Sequence, residues 1–246
     1  MVYQFTMNET GENKIHPGKL PVYSQIAEQI SREISAGLLI DGQRLPPERR
    51  LARDYGVTVR TLRKSLAQLA RQGLLVRRQG SGNYIRKNEN SESIYFFFRL
   101  ELPQGGGLPS AQMLSAETVK KPADLPEFGA SGFAHRFRRL RFLDDIPVAI
   151  EEIWLDQSCA EKINRAQISQ SLYKFYKEHL GFWIARAEDW VSVSPLPEWA
   201  EEIFPPGKNA AFGFVERFGW SQDESKVEYS RTWYDAGAAR YVARLK

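Results

Sequence analysis

Two sets of residues in this chain could do chemistry. The first is a concentration of cations. Arg60, Arg63, Lys64 and Arg71 recur at helical spacing, and Arg77 and Arg78 follow closely. Guanidinium and ammonium groups in such a patch suit the phosphate oxygens of a nucleic acid. The second set is scattered: Arg139 and Arg141, then Glu151, Ser171, Tyr173, Glu228 and Tyr234. Two guanidiniums side by side repel unless an anion or a carboxylate lies between them, and arginine's fork binds two oxygens at once. A carboxylate such as Glu228 accepts hydrogen bonds from the hydroxyls of a sugar or pairs with an amine. Read on charge alone, the first set is equally an ordinary solvated helix face, and the second an ion-pair network on a sheet.

The elements that must position the first set are legible from residue types. Pro46-Pro47-Glu48 opens a short helix, because proline is tolerated in the first turn and an acidic residue suits the positive helix end. Gly56 ends it after Tyr55. Thr58 is placed to cap the next helix, whose Leu62, Leu66 and Leu69 form a buried stripe opposite the basic residues. Two helices joined by a glycine turn, the second one basic outside, describe a helix-turn-helix. Leu74–Arg78 and Asn83–Arg86 then read as strands about the turn Gln79-Gly80-Ser81-Gly82, a wing whose Arg77 and Arg78 suit phosphate. Upstream, Ile26, Ile30 and Ile34 predict a helix over 22–36, stopped by Gly37.

With these motifs in place, residues 21–86 resemble the winged DNA-binding domain of the GntR family of bacterial transcription regulators. The residues that carry the resemblance are Arg44-Leu45-Pro46-Pro47-Glu48-Arg49, Gly56-Val57-Thr58, Thr61-Leu62-Arg63 and Arg78-Gln79-Gly80-Ser81-Gly82. The resemblance implies DNA contacts from Arg49, Thr58, Arg60, Thr61, Arg63, Gln79 and Gly80. Arg44, Lys64, Arg77 and Arg78 join them as candidates. Val59 departs from the family pattern, in which many members carry a polar or basic residue.

Charge is unevenly divided. Residues 21–87 hold 13 Lys and Arg against 5 Asp and Glu, whereas the whole chain is only +4, so the remainder is net acidic. One half is expected to touch nucleic acid and the other to do something else. A single cysteine, Cys159, allows no internal disulfide and fits a reducing cytoplasm. The apolar runs are too short to span a bilayer, and the first residues lack the order of a signal peptide. The expected organisation is an arm at 1–20, a head at 21–87, a linker at 88–93 without an apolar residue, and a second domain over 94–246.

The second half predicts strands at 94–102, 111–119, 133–143, 148–155, 182–193, 211–220, 226–234 and 240–245. Helices are expected from Ser171 to Leu180, stopped by Gly181, and over 197–204. Many antiparallel strands with few helices suggest an α+β domain with a sheet covered on one face. Arg139 and Arg141 share a face of their strand, and Glu151 on the returning strand can pair with one of them. Ser171 stands at a helix start, where an anion is favoured.

This half resembles the UTRA effector domain of the HutC branch of that family. The residues are Arg139-Leu140-Arg141, Pro147 with Glu151, Ser171-Leu172-Tyr173 and Val227-Glu228-Tyr229-Ser230. The resemblance implies a fold like that of chorismate lyase and an effector that is a small anionic metabolite, a sugar phosphate or organic acid. With the resemblance, the second set of residues, Arg139, Arg141, Glu151, Ser171, Tyr173, Glu228 and Tyr234, is read as the candidate effector site rather than an ion-pair network. The chain is thus expected to be a homodimeric, cytoplasmic regulator, a repressor by preference, on a palindromic double-stranded operator, without cofactor, catalytic residue or metal. An enzyme built on the second domain is the competing class. Only His16, His135 and His179 exist, and one cysteine makes neither a metal cluster nor an evident Cys–His pair. A purely architectural DNA-binding protein is a third.

Overall fold

The computed structural model describes residues 21–35, 37–86, 97–169, 171–204 and 212–244. They divide into two compact units, the second running from Arg99 to Val242. The expected linker at 88–93 lies outside the described residues.

In the first unit α1 spans Val22–Ser35, α2 Glu48–Asp54 and α3 Val59–Arg71, followed by β1 (Leu75–Arg78) and β2 (Gly82–Ile85). Ile26, Ile30 and Ile34 of α1 meet Leu51 of α2 and Leu62, Leu66 and Leu69 of α3 in one closed core. Leu62, Leu66 and Leu69 are wholly shielded from water, so each contributes about 1.5–3 kcal/mol of burial. The turn between α2 and α3 depends on Gly56 at φ +62°, a left-handed conformation that costs a side-chain-bearing residue. Thr58 Oγ1 then accepts the Thr61 amide at 3.1 Å and caps α3. Thr58→Ala should lower head stability by about 1 kcal/mol in urea unfolding. A change within a few tenths would remove the cap's role.

The wing pairs Arg78 with Gly82 around Gly80, at φ +72°. Arg44 adds a backbone bridge to Tyr84, and a Cβ on Gly82 would lie 3.1 Å from Arg44 Nε. The wing is thereby tied back to the segment entering α2.

The second unit contains β3 (Leu100–Glu101), β4 (Pro109–Lys120), β5 (Phe133–Leu143), β6 (Ile146–Asp156), α4 (Leu172–Phe175), β7 (Ile184–Val193), α5 (Glu198–Glu201), β8 (Phe212–Ser221), β9 (Lys226–Asp235) and β10 (Arg240–Tyr241). Six strands form one antiparallel sheet in the order β4-β5-β6-β9-β8-β7, and β3 pairs with β10 apart from it. Asp144 and Asp145, both at positive φ, close the β5–β6 hairpin where a turn was expected.

Three expectations change. The first strand shrinks to Leu100–Glu101, with 94–96 outside the described residues, and the last to Arg240–Tyr241. The helix after Ser171 is α-helical only to Phe175, and Tyr176–Leu180 is a wider π turn ended by Gly181 at φ +77°. Cover lies on both faces of the sheet: α4 and its π turn on one, and Ala200 with Phe204, from and beyond α5, against Ile150 and Trp233 on the other. The helix expected over 197–204 is present as the shorter α5.

Candidate functional site

The head presents its basic residues outward. Arg44, Arg49, Thr58, Arg60, Arg63, Lys64, Arg77, Arg78, Gln79 and Gly80 are exposed, and Thr61 is half-buried at the start of α3. Their side chains are not equally loose. Arg63 Nε donates to Glu48 Oε2 at 2.6 Å, and Asn83 Nδ2 of the wing donates to Glu48 Oε1 at 3.5 Å. The hydrogen bond from Arg63 holds the Glu48 carboxyl below its ordinary range. Arg77 donates to the Arg63 carbonyl at 3.2 Å, and the Arg78 guanidinium lies 4.6 Å from the centroid of the Tyr84 ring. Thr58 and Thr61 spend hydroxyl contacts on each other and on the cap. Glu48, Asn83 and Tyr84 were missed as parts of this surface, since each acts by orienting a neighbour and none is cationic.

In the second unit, register alone gathers the other set. Arg139 is opposite Glu151, and Arg141 opposite Ala149, across the β5–β6 hairpin. Across β6–β9, Ala149 is opposite Tyr234, Glu151 opposite Thr232, and Leu155 opposite Glu228. Directly opposed residues share a face, so Arg139, Arg141, Glu151, Glu228 and Tyr234 all rise from one side of the sheet. The same count places Arg217 of β8, opposite Ser230, and Asp189 of β7, opposite Arg217, on that side. Ala149, Gly213 and Gly219 lie among them. Gly213 has a particular cause: a Cβ there would come 2.0 Å from Cζ of the Tyr234 ring, which lies across it.

Arg139, Arg141, Glu151 and Glu228 are all buried. Arg139 forms an ion pair with Glu151, and Arg141 Nη1 lies 3.7 Å from the same carboxylate. Glu228 sits under α4. Tyr173 and Tyr176, one helical turn apart, donate to its two oxygens at 2.9 and 2.7 Å. Burial pushes the Glu228 carboxyl up, against the pull of both tyrosines, Arg217 and Arg139. Both phenols are pushed up too, first by burial and then by the carboxylate they serve. Ser171 caps α4, its Oγ accepting the Lys174 amide at 3.3 Å. With four residues α4 has little dipole, so Ser171 can act on this site only through its hydroxyl.

The raised Glu228 carboxyl has a consequence with a definite sign. A carboxyl whose folded pKa lies above its unfolded value favours the native state at low pH. That contribution is lost as pH rises from the ordinary value of 4.5 through the folded one. The thermal midpoint of the parent should therefore fall relative to that of Glu228→Gln as pH rises over that window. Parallel midpoints in calorimetry between about pH 4 and 8 would contradict it.

Tyr176, Arg217, Asp189 and Tyr241 were missed as neighbours of this site. Arg217 donates bidentately to Asp189 at 2.5 and 2.6 Å, and Tyr241 donates to Asp189 at 2.6 Å. No local motif marks them. The signal that finds Arg217 and Asp189 is β9 pairing with both β6 and β8. Among the described residues no group of three or more His, Cys, Asp and Glu could hold a metal ion. Nor is any helix there long and apolar enough to cross a membrane. Cys159 is a poor nucleophile, since burial pushes its thiol up to about 11.

Comparison with known proteins bears on both units. Residues 22–85 match the bacterial regulatory proteins of the gntR family, and residues 104–240 match the UTRA domain. The chain is 51% identical over 229 residues to the HTH-type transcriptional regulator SmoD of Agrobacterium fabrum, covering 93% of this chain and 98% of that protein. It is 26% identical to the HTH-type transcriptional repressor NagR of Bacillus subtilis, over 94% of this chain and 96% of that one. It is 27% identical to the mannosyl-D-glycerate transport/metabolism system repressor MngR of Escherichia coli K12, over 92% and 96%. The crystal structure of YydK from Bacillus subtilis superposes with a TM-score of 0.54 at 20% identity, over 92% of this chain and all of that one, a likeness of fold.

Proposed function

Because the chain belongs to the gntR family of bacterial regulatory proteins and carries its UTRA domain, we propose that it is a repressor released from its operator by a small anionic metabolite. That it is a DNA-binding transcription regulator and not an enzyme follows from the family. The finer reading rests on one observation: β5, β6, β9 and α4 bring Arg139, Arg141, Glu151, Tyr173, Glu228 and Tyr234 to one buried face beside small residues. Two arginines supply the anion contact, with Glu151 holding them in place until a ligand anion competes. Tyr173, Tyr234 and Ser171 supply hydroxyls for the rest of the ligand, the pattern that a sugar or hydroxy acid bearing a phosphate or carboxylate requires.

Repression is favoured because NagR and MngR are named repressors. A symmetric homodimer in the cytoplasm, with two heads on a palindromic operator, fits a helix-turn-helix that reads half-sites. The candidate DNA contacts are those the head exposes, led by Arg49, Arg60 and Arg63.

The test is a thermal-shift screen of the full chain against inorganic phosphate, glucose 6-phosphate, citrate and mannosyl-D-glycerate, followed by operator titration. At least one should raise the midpoint and weaken operator binding, with stabilisation of about 2.7 kcal/mol at a hundredfold excess over Kd. Arg141→Ala should bind the operator like the parent and lose that response. A response from Arg141→Ala equal to the parent's would refute this site.

A further inference from the structure

The effector face does not end at the residues that would touch a ligand. Tyr173 stands between two charged groups: its hydroxyl donates to Glu228 Oε1 at 2.9 Å, and it is also hydrogen-bonded to Arg217. Arg217 is bound in turn by both oxygens of Asp189, and Asp189 accepts a third hydrogen bond from Tyr241. Tyr241 belongs to β10, which pairs with β3 through two residues on each strand, Arg240 with Glu101 and Tyr241 with Leu100. The Val242 amide then donates to the Arg99 carbonyl at 2.9 Å, and Arg99 is the first residue of the second unit. A line of polar contacts therefore runs from Glu228 to the Tyr241 hydroxyl, and the backbone of Tyr241 lies in the ribbon where the chain enters this domain.

We infer that the Asp189–Arg217 pair reads the state of the effector pocket through Tyr173 and transmits it through Tyr241 to the β3–β10 ribbon. The inference rests on the effector reading above and names how that site is coupled onward.

Three features carry it. First, Tyr173 has one hydroxyl proton. A ligand oxygen that accepted it would take it from Glu228, and a ligand hydroxyl donating to Glu228 would displace the phenol; either event moves the oxygen that Arg217 holds. Second, the centre of the line is largely withdrawn from water, the Arg217 and Asp189 side chains being 16% and 12% exposed, so solvent absorbs little of a change there. Burial alone would make Asp189 a weaker acid and Arg217 a weaker base, yet their mutual contact keeps Asp189 acidic and Arg217 charged. Third, the two-residue ribbon is the shortest paired element of the unit among the described residues, and so short a pairing is readily shifted by a small free-energy change. Arg217 and Asp189 are positioning residues in this account.

Hydrogen–deuterium exchange of the full chain without any ligand tests it. Tyr173→Phe keeps the ring and removes the hydroxyl from the line. The Val242 amide should then exchange about tenfold faster than in the parent, the effect of losing one hydrogen bond of ordinary strength. Asp189→Asn should do the same, while amides at the centre of β5 and β6 keep their parent rates. Arg138→Gln breaks the Arg138–Glu152 pair (2.8 Å) on the opposite face and should leave Val242 unchanged. An unaltered Val242 rate in Tyr173→Phe overturns the relay, and so does equal acceleration by Arg138→Gln or throughout the sheet, which would mean general loosening. Since no ligand is present, the outcome is independent of whether the metabolite screen finds an effector.

Discussion

Glu151→Ala is expected to destabilise the second unit by about 3–5 kcal/mol, because it removes the carboxylate that faces two buried guanidiniums. Arg139 and Arg141 are only 6% and 3% exposed, so water cannot take over the role of Glu151. The comparison that isolates the effect is Glu117→Ala. Glu117 pairs with Arg136 at 3.2 Å, but its side chain is 46% exposed, and losing such a pair costs at most about 1 kcal/mol. Urea midpoints should separate the two variants clearly, and Glu151→Gln, which keeps the volume, should behave like Glu151→Ala. The loss should also be repairable. Sulfate or phosphate at millimolar concentration should raise the midpoint of Glu151→Ala more than that of the parent, because an added anion can sit where the carboxylate was. If Glu151→Ala unfolds at the urea concentration of Glu117→Ala, or no anion restores it, the arginine pair does not form an anion site.

That prediction is the part of the site that sequence shows best, for a physical reason. Arg139, Arg141 and Glu151 lie on two strands joined by the Asp144-Asp145 turn, so period-two alternation and one hairpin suffice to bring them together. The head is legible for the same reason. Gly56, Thr58, the leucines of α3 and the glycines of the wing act within a few residues of themselves, and each has one conformational job. Helix, turn and cap chemistry is local, and local rules carry it.

Legibility fails where the sheet order departs from the chain order. β9 inserts between β6 and β8, and this long-range pairing puts Arg217 and Asp189 on the face of Glu228. Glu228 itself was expected to offer its oxygens to a ligand. The structure has them accepting from Tyr173 and Tyr176, and the second of these follows from the π turn that begins at Tyr176, which no propensity announces. Glu48 shows the same limit in the head: it was read as a helix-start charge, and its contact with Arg63 spans two helices.

Arg63→Ala should weaken operator binding by about 10–100-fold, the loss expected for a base-reading arginine near the start of a recognition helix. The geometry sharpens this into a claim about Glu48. The Arg63 side chain is 65% exposed, and an arginine that open would ordinarily sample many rotamers. The 2.6 Å bond to Glu48 holds it in one, so less entropy remains to be lost on contact with DNA. Glu48→Gln keeps the charge of Arg63 and weakens the hold. It also removes a negative charge beside the duplex, which favours any DNA. The measurement is therefore the ratio of operator to scrambled-duplex affinity, in which that general gain cancels. Glu48→Gln should reduce this ratio in the parent and leave it unchanged in an Arg63→Ala background, a coupling that a double-mutant cycle reads directly. Arg60→Ala serves as the contrast. No carboxylate of the described residues is seen to hold Arg60, and if it meets phosphate the salt dependence should lose about one unit of slope with little change in the ratio. Equal loss from Glu48→Gln in both backgrounds would show that Glu48 does not act through Arg63, and parent-like operator binding by Arg63→Ala would remove α3 from the groove.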